Sequence, residues 1–340
     1  MRVLAVRQDN NGDVLLVGPA LRAIAATAEV TLLCGPGGEG AARILPGVTA
    51  TIVARAEWIE GRPRPIDASA TYDFVRDIAA RRFERAIVFT SFHQSALPAA
   101  LLLRLAGVPW IGAISVDYPG SLLDVRAHVP DDRHEVERAL ALVRSCGYSL
   151  PMDDDESLRC LPLPPSDEFV GRGPYVVVQP GATVAARAWD PARWRHLVAR
   201  LTEREVRVVV VGAAAERGLA RYVVGDSGAV DTSGRTTFAQ FAAIVRDARA
   251  LVVGNTSGIH IASAVGTPVV TIFAPTVPAL RFAPWHVPHA ILGNQSIACA
   301  GCRARTCPVP GQPCTGAVAD DEILASLGRI CAPALAAGRA

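Results

Sequence analysis

Three short runs place small polar or charged residues where a strand hands over to a helix, the position from which an α/β protein holds its ligand. In Gly254-Asn255-Thr256-Ser257-Gly258, an apolar run over 251–253 gives way to a turn and then to a helix-like stretch, 258–265. Backbone N–H groups left open at such a helix start, together with the helix dipole, hold phosphate well. An ordinary helix cap would explain Thr256 and Ser257 as well, and His260, one turn in, also fits a structural histidine. The second run, 176–194, reads as a strand, a Pro-Gly loop and a helix entered at Asp190-Pro191, with Thr183 and Arg187 on the loop. Both runs follow strands of the same half of the chain, so they can converge on one diphosphate. After the next strand, Glu216 can accept ribose hydroxyls or stand as a surface glutamate.

The third run is different. Strand-like Arg2–Val6 ends in Arg7-Gln8-Asp9-Asn10-Asn11-Gly12-Asp13, which offers acids and amides where a nucleotide-binding strand would offer a glycine-rich turn. Asp13, just after a glycine and at the start of a helix, is either a helix cap or a base.

The elements that must position these runs alternate. Strands are expected at Arg2–Val6, Val30–Cys34, Ala50–Val53, Ala86–Phe89 and Trp110–Ile114, with helices between them such as Asp13–Ala26, Tyr72–Arg82 and Ser95–Ala106. The rhythm lapses over the Pro- and acid-rich stretch Pro151–Pro174. It restarts with strands at Tyr175–Gln179, Val206–Val211, Ala229–Asp231, Ala250–Val253 and Val269–Phe273. The expected fold is therefore α/β, two Rossmann-like domains with parallel sheets facing across a cleft. Boundaries fall at 1–165, 166–318 and a last helical segment, 319–340.

Composition narrows the function. A net charge of +2 over 340 residues argues against a nucleic-acid binder. All the basic residues are arginine, with no lysine at all, which together with abundant Ala, Gly and Pro reflects a GC-rich genome. No secretory leader or membrane-spanning run is legible, so a cytoplasmic protein with at most peripheral membrane contact is expected. Gly35-Pro-Gly-Gly-Glu-Gly40 fits the dinucleotide pattern literally, but it follows the second strand and reads better as a mobile surface loop. Asp153-Asp154-Asp155 contains the D-x-D spacing of a cation site, yet it falls in the link between the halves, where capping or solvation is the simpler account.

Taken in order, these pieces resemble glycosyltransferase family 9, the ADP-heptose heptosyltransferases of lipopolysaccharide core assembly. The family's opening "IGD" loop is echoed by Asn11-Gly12-Asp13, and its Lys two residues before a Trp by Arg187 before Trp189. Its "DTG…H-L-A" and "G-x-P…F-G-P-T" elements are echoed by Asn255-Thr256-Ser257…His260-Ile261-Ala262 and by Gly266-Thr267-Pro268…Phe273-Ala274-Pro275-Thr276.

The resemblance implies a GT-B fold, an N-terminal acceptor domain and a C-terminal nucleotide-sugar domain. It implies inverting transfer of a sugar, heptose above all, from a nucleotide-diphosphate donor such as ADP-heptose, with no catalytic cofactor or metal. Donor-site positions are then Thr183, Arg187, Glu216, Asn255, Thr256, Ser257, Gly258 and His260. Asp13 becomes the base, Arg187 neutralises the leaving diphosphate, and Asn11, Gly12 and His93 face a saccharide or small-molecule acceptor. The chain departs from the family at Arg187, where a bidentate guanidinium replaces a Lys. It departs also at Asn255 in place of Asp, and at Ser257 and Ala274 in place of Gly.

Cys299, Cys302, Cys307 and Cys314 are close enough in sequence to hold a structural zinc, and free thiols or a local disulfide would serve as well. A nicotinamide-dependent oxidoreductase using Gly35–Gly40, and a nucleotide-sugar-binding protein without transfer activity, are the other readings.

Overall fold

The computed structural model describes residues 1–61, 63–130 and 132–337, with the backbone alone over 332–337. The chain divides into two compact units, Met1–Leu161 and Pro162–Ala340.

The first unit carries six strands: β1 (Arg2–Arg7), β2 (Glu29–Cys34), β3 (Val48–Val53), β4 (Arg85–Val88), β5 (Ile111–Ile114) and β6 (Val125–Ala127). They form one parallel sheet in the order β3-β2-β1-β4-β5-β6. Val3, Leu4 and Ala5 of β1 are fully buried, as expected of a central parallel strand covered on both faces. The second unit repeats the plan with β7 (Val176–Gln179), β8 (Val208–Val210), β9 (Val230–Asp231), β10 (Ala250–Gly254), β11 (Val269–Ile272) and β12 (His289–Leu292). Its order, β12-β11-β10-β7-β8-β9, is the same winding read from the other edge.

Both sheets reverse direction of winding between their first and fourth strands, β1/β4 and β7/β10. Ligands of such folds bind beyond the carboxyl ends of the strands at this switch point. The loops after β1, β4, β7 and β10 are the ones that carry Asp13, His93, Arg187 and Asn255.

Several elements depart from the sequence reading. The single helix expected over 13–26 is two helices, Asn11–Leu16 and Gly18–Ala25, because Pro19 has no N–H to continue the first. Edge strands β6 and β12 were not expected; each is only three or four residues long, too short for a periodicity to emerge. The glycine-rich segment is exposed at Pro36 and Gly37 and carries regular structure. It forms a tight turn, Pro36–Gly38, and a short helix, Glu39–Ala42, packed against the loop after β1. A Cβ at Gly35 would strike the Gln8 carbonyl, and one at Gly38 would stand 2.8 Å from the Asp9 carbonyl. These glycines permit close backbone approach rather than a pyrophosphate. Asp154, in the acid cluster, pairs with Arg22 at 2.7 Å, and Arg22 also donates to the Ser157 carbonyl. The link is therefore fastened to the helix Gly18–Ala25, with Arg22 holding the Asp154 carboxyl below its ordinary range.

No described helix is long and apolar enough to cross a membrane.

Candidate active site

In the first unit, Asp13 does not cap its helix. The helix begins at Asn11, Asn10 makes no side-chain cap, and Asp13 lies within the first turn. Its carboxylate turns back to the end of β1, where Arg7 Nη2 donates to Asp13 Oδ1 at 3.1 Å and to Ser91 Oγ at 3.0 Å. Arg7 Nε lies 3.0 Å from Asp9 Oδ2, and Gln94 Nε2 donates to Asp9 Oδ1 at 2.6 Å. Gln94 in turn accepts from the Ser91 N–H at 2.9 Å. One buried guanidinium thus ties the loop after β1 to the loop after β4.

Behind it stands a second pair, Glu135 and Arg138, both buried and 3.4 Å apart on the helix Glu135–Ser145. Burial and the Asp9 and Glu135 carboxylates push the Asp13 carboxyl up to about 6, against the pull of Arg7. About a quarter of the Asp13 side chain remains exposed, so it can still reach a ligand. A largely buried carboxylate of raised basicity, held by a fixed cation, is suited to accept a proton near neutral pH.

The other residues expected on this side are placed differently. Asn11 Oδ1 accepts from the Ala41 N–H at 2.8 Å, which clamps the glycine-rich segment against this loop. Gly12 is buried in the first helical turn. His93 is exposed on the loop after β4, its ring edge-on to Phe92 at 5.2 Å. Arg7, Glu135 and Arg138 were missed by sequence reasoning. For Glu135 and Arg138 a signal was present in the His134-x-x-Glu137 start of their helix, where His134 and Glu137 form a capping box.

In the second unit, the loops after β7, β10 and β11 gather. Arg187 Nε donates to Thr276 Oγ1 at 3.1 Å, and Asn255 Nδ2 donates to the Ala274 carbonyl at 3.4 Å. Trp189, two residues after Arg187, is buried and packs edge-to-face on the fully buried Trp194 at 5.0 Å. The helix Gly258–Val265 opens beside them, and Ser257 makes no side-chain cap, so no hydroxyl occupies its leading N–H groups. Thr256 Oγ1 is 3.5 Å from Gln179 Oε1 at the end of β7, and a Cβ on Gly258 would collide with that amide. His260 is buried one turn in, 6.4 Å from the Phe282 ring. Arg187, Asn255 and the start of this helix thus stand on neighbouring loops and offer a guanidinium, an amide and the N–H groups of Ser257 and Gly258, donors suited to an anion.

Glu216 lies across the mouth of the loop after β7. Its carboxylate accepts from the Ala213 N–H at 2.7 Å and overlies Gly181, where a Cβ would strike it. Thr183 is exposed on the same loop.

The structure does not gather the four cysteines into a zinc site. Among the described residues, no three His, Cys, Asp or Glu side chains converge as metal ligands. Cys299 and Cys302 are exposed, and Cys307 Sγ faces the Val309 carbonyl at 3.6 Å. The segment instead braces the loops that carry Arg187 and Thr276. Gly301 and Arg303 donate their N–H groups to the carbonyls of Pro275 and Thr276, and Ala186 N–H donates to the Arg305 carbonyl. Gln312 Nε2 completes the brace on the carbonyls of Ala186 and Ala188, at 3.0 and 3.1 Å.

Comparison with known proteins bears on this arrangement. The model of "Glycosyltransferase family 9 (heptosyltransferase)" matches residues 71–312. Lipopolysaccharide heptosyltransferase 1 of Pseudomonas aeruginosa is 28% identical over 332 residues, covering 90% of this chain and 87% of the relative. Among solved structures, a family 9 glycosyl transferase from Veillonella parvula superposes with a TM-score of 0.79 at 14% identity, covering 98% and 97% of the two chains. The E. coli heptosyltransferase WaaC, solved with ADP-2-deoxy-2-fluoro heptose, does so with 0.70 at 20% identity, covering 97% and 99%.

Proposed function

The chain belongs to glycosyltransferase family 9, with the two-domain GT-B fold, and from that premise we propose that it transfers heptose from ADP-heptose to an acceptor hydroxyl with inversion and without a catalytic metal. The observation that carries this reading is the pairing of two chemistries within one chain. The first unit holds a carboxylate of raised basicity, Asp13, and the second holds a cation and helix-terminus cluster at Arg187, Asn255 and Gly258.

In an inverting displacement the acceptor oxygen attacks the anomeric carbon as its proton leaves, and the bond to the nucleoside diphosphate breaks on the opposite face. Asp13 accepts that proton; a basicity near neutrality keeps it ionised at working pH yet able to take the proton in the transition state. Arg7 keeps the carboxylate turned toward the loop after β4. On the donor side, Arg187 meets the charge that grows on the departing diphosphate. The N–H groups of Ser257 and Gly258 at the helix start share that charge and cost no reorganisation when it appears. Thr183 and Glu216 fall to the nucleoside end, where Glu216, held over Gly181, can accept ribose hydroxyls. Asn255 suits this role, since its amide donates where a carboxylate would repel phosphate. His260, buried beneath, supports the helix start.

Support for the donor comes from the bacterial relatives named as heptosyltransferases and from the WaaC structure holding an ADP-heptose analogue. A donor panel tests the proposal: purified protein is offered ADP-heptose, other ADP-sugars and UDP- and GDP-sugars, with products read by mass spectrometry. Preference for ADP-heptose is expected, undiminished in excess EDTA. Binding of NAD with no affinity for ADP or its sugars would instead favour an oxidoreductase.

A further inference from the structure

The first unit contains a cavity of about 350 Å³ beyond the carboxyl ends of β4, β5 and β6, contiguous with the Arg7–Asp13 cluster. Ser91 and Gln94 line it, and these are the residues that also bond Arg7 and Asp9. An acceptor seated there would lie against the network that holds Asp13. We propose that this cavity takes a non-anionic, polyhydroxylated acceptor of about one sugar or cyclitol ring, and discriminates against acceptors bearing carboxylate or phosphate. The inference rests on the transferase reading for its role as the acceptor site, and on the cavity's own chemistry for the ligand class.

Charge carries the argument. Among the described residues lining the cavity, Arg138 alone holds a permanent positive charge. That guanidinium is buried and engaged with Glu135, itself buried, so its charge is already matched. Arg126, on β6, directs its guanidinium to the carbonyls of Ser115 and Val116, the second at 2.6 Å. The remaining ionisable lining groups are Asp117, whose carboxylate repels an anion, and His128. A carboxylate or phosphate brought here would lose its hydration without gaining a cation, which is costly.

Hydroxyl groups fare better. Ser91, Ser95, Ser115 and the Gln94 amide supply donors and acceptors that pair with either end of an O–H. Phe92 and Val129 add apolar surface for the C–H face of a ring. The volume lies at the small end of ligand sites, enough for one ring but not an extended chain.

The test measures binding of a neutral hexose, an aminocyclitol, the matched uronic acid and the hexose phosphate by saturation-transfer NMR and calorimetry, on the whole protein saturated with ADP. Val116 lines the cavity and is 85% exposed, so Val116→Arg adds a cation with little risk to folding. Wild type is expected to favour the neutral or aminated compounds by about tenfold or more, roughly the effect of one unmatched charge. Val116→Arg is expected to narrow that gap by improving the anions, with ADP affinity unchanged. Equal or tighter binding of the anions by wild type, or no binding of any neutral or aminated sugar, overturns the proposal. Failure to bind ADP while sugars still discriminate would count against the transferase reading and leave the cavity's ligand class standing.

Discussion

Arg7 Nη2 donates to Asp13 Oδ1 at 3.1 Å across the turn that joins β1 to its helix, and the same nitrogen donates to Ser91 Oγ on the loop after β4. This contact makes Asp13 a residue with a fixed orientation rather than a helix cap. It also places the carboxylate in a cluster where acids outnumber bases: Asp9, Asp13 and Glu135 against Arg7 and Arg138.

The imbalance predicts a pH profile. Because burial and Asp9 raise the Asp13 carboxyl to about 6, the base is ionised above that value and protonated below it. The rate kcat/KM should rise with pH through about 6 and then level off. A pH series on the wild type, with donor binding measured in parallel, checks it; a limb near 4 would place the base elsewhere.

The same shift has a stability consequence of definite sign. A carboxylate whose folded pKa lies above its unfolded value favours folding while protonated, and that advantage is lost as pH rises through the folded pKa. Asp13→Asn keeps an acceptor for Arg7 and removes the ionisation. It should stabilise the protein by roughly 1–2 kcal/mol at pH 7.5, with Tm rising about 2–4 °C per kcal/mol. The gain should shrink as pH falls below 6 toward 4. Melting curves at the two ends of that range read the effect directly.

Removal of Arg7 should act in the opposite direction. Arg7→Met leaves buried carboxylates without their cation and is expected to cost about 3–5 kcal/mol. Arg7→Lys keeps the charge but cannot span Asp9, Asp13 and Ser91 together. It should fold and move the acidic limb of the rate profile, a change that chemical denaturation alone would not reveal.

On the donor side, Gly181→Ala pushes against the Glu216 carboxylate that overlies it. Glu216 must then swing from the Ala213 N–H, and ADP affinity should fall about tenfold. Arg187→Ala should lose roughly 10–100-fold in ADP affinity, as expected for a charge-assisted contact. Calorimetry with ADP measures both.

The cysteine-rich segment yields a prediction of another kind. Gln312 holds the carbonyls of Ala186 and Ala188 on either side of Arg187. Gln312→Ala should therefore raise the donor KM several-fold while leaving the acceptor KM unchanged, since outside its own segment the Gln312 amide bonds the loop that carries Arg187.

Most of the strand plan was legible because central parallel strands are continuous apolar runs: Val176–Gln179 and Ala250–Gly254 stand out in any reading. The helix Gly258–Val265 was expected with the bounds it has. What could not be read were contacts made at long range. Nothing near Arg7 in sequence announces Ser91, and nothing near Glu135 announces Arg7, since the topology alone brings them together. Likewise, Gly35–Gly40 displays a nucleotide-binding pattern, while its glycines answer to the carbonyls of Gln8 and Asp9. The cysteines suggested a metal by spacing, but their segment is spread along the loops that carry Arg187 and Thr276 by its own backbone hydrogen bonds.

We propose Asp13 as the base of a transfer from ADP-heptose. It is tested most directly by ADP release from ADP-heptose, in the presence of a mixed sugar acceptor pool, for wild type and Asp13→Asn. Calorimetric ADP affinity is measured on the same preparations. Turnover should fall by about 10²–10⁴-fold in the variant, the range for loss of a general base, while ADP affinity stays within about twofold. Turnover near the wild-type rate in Asp13→Asn would contradict the account.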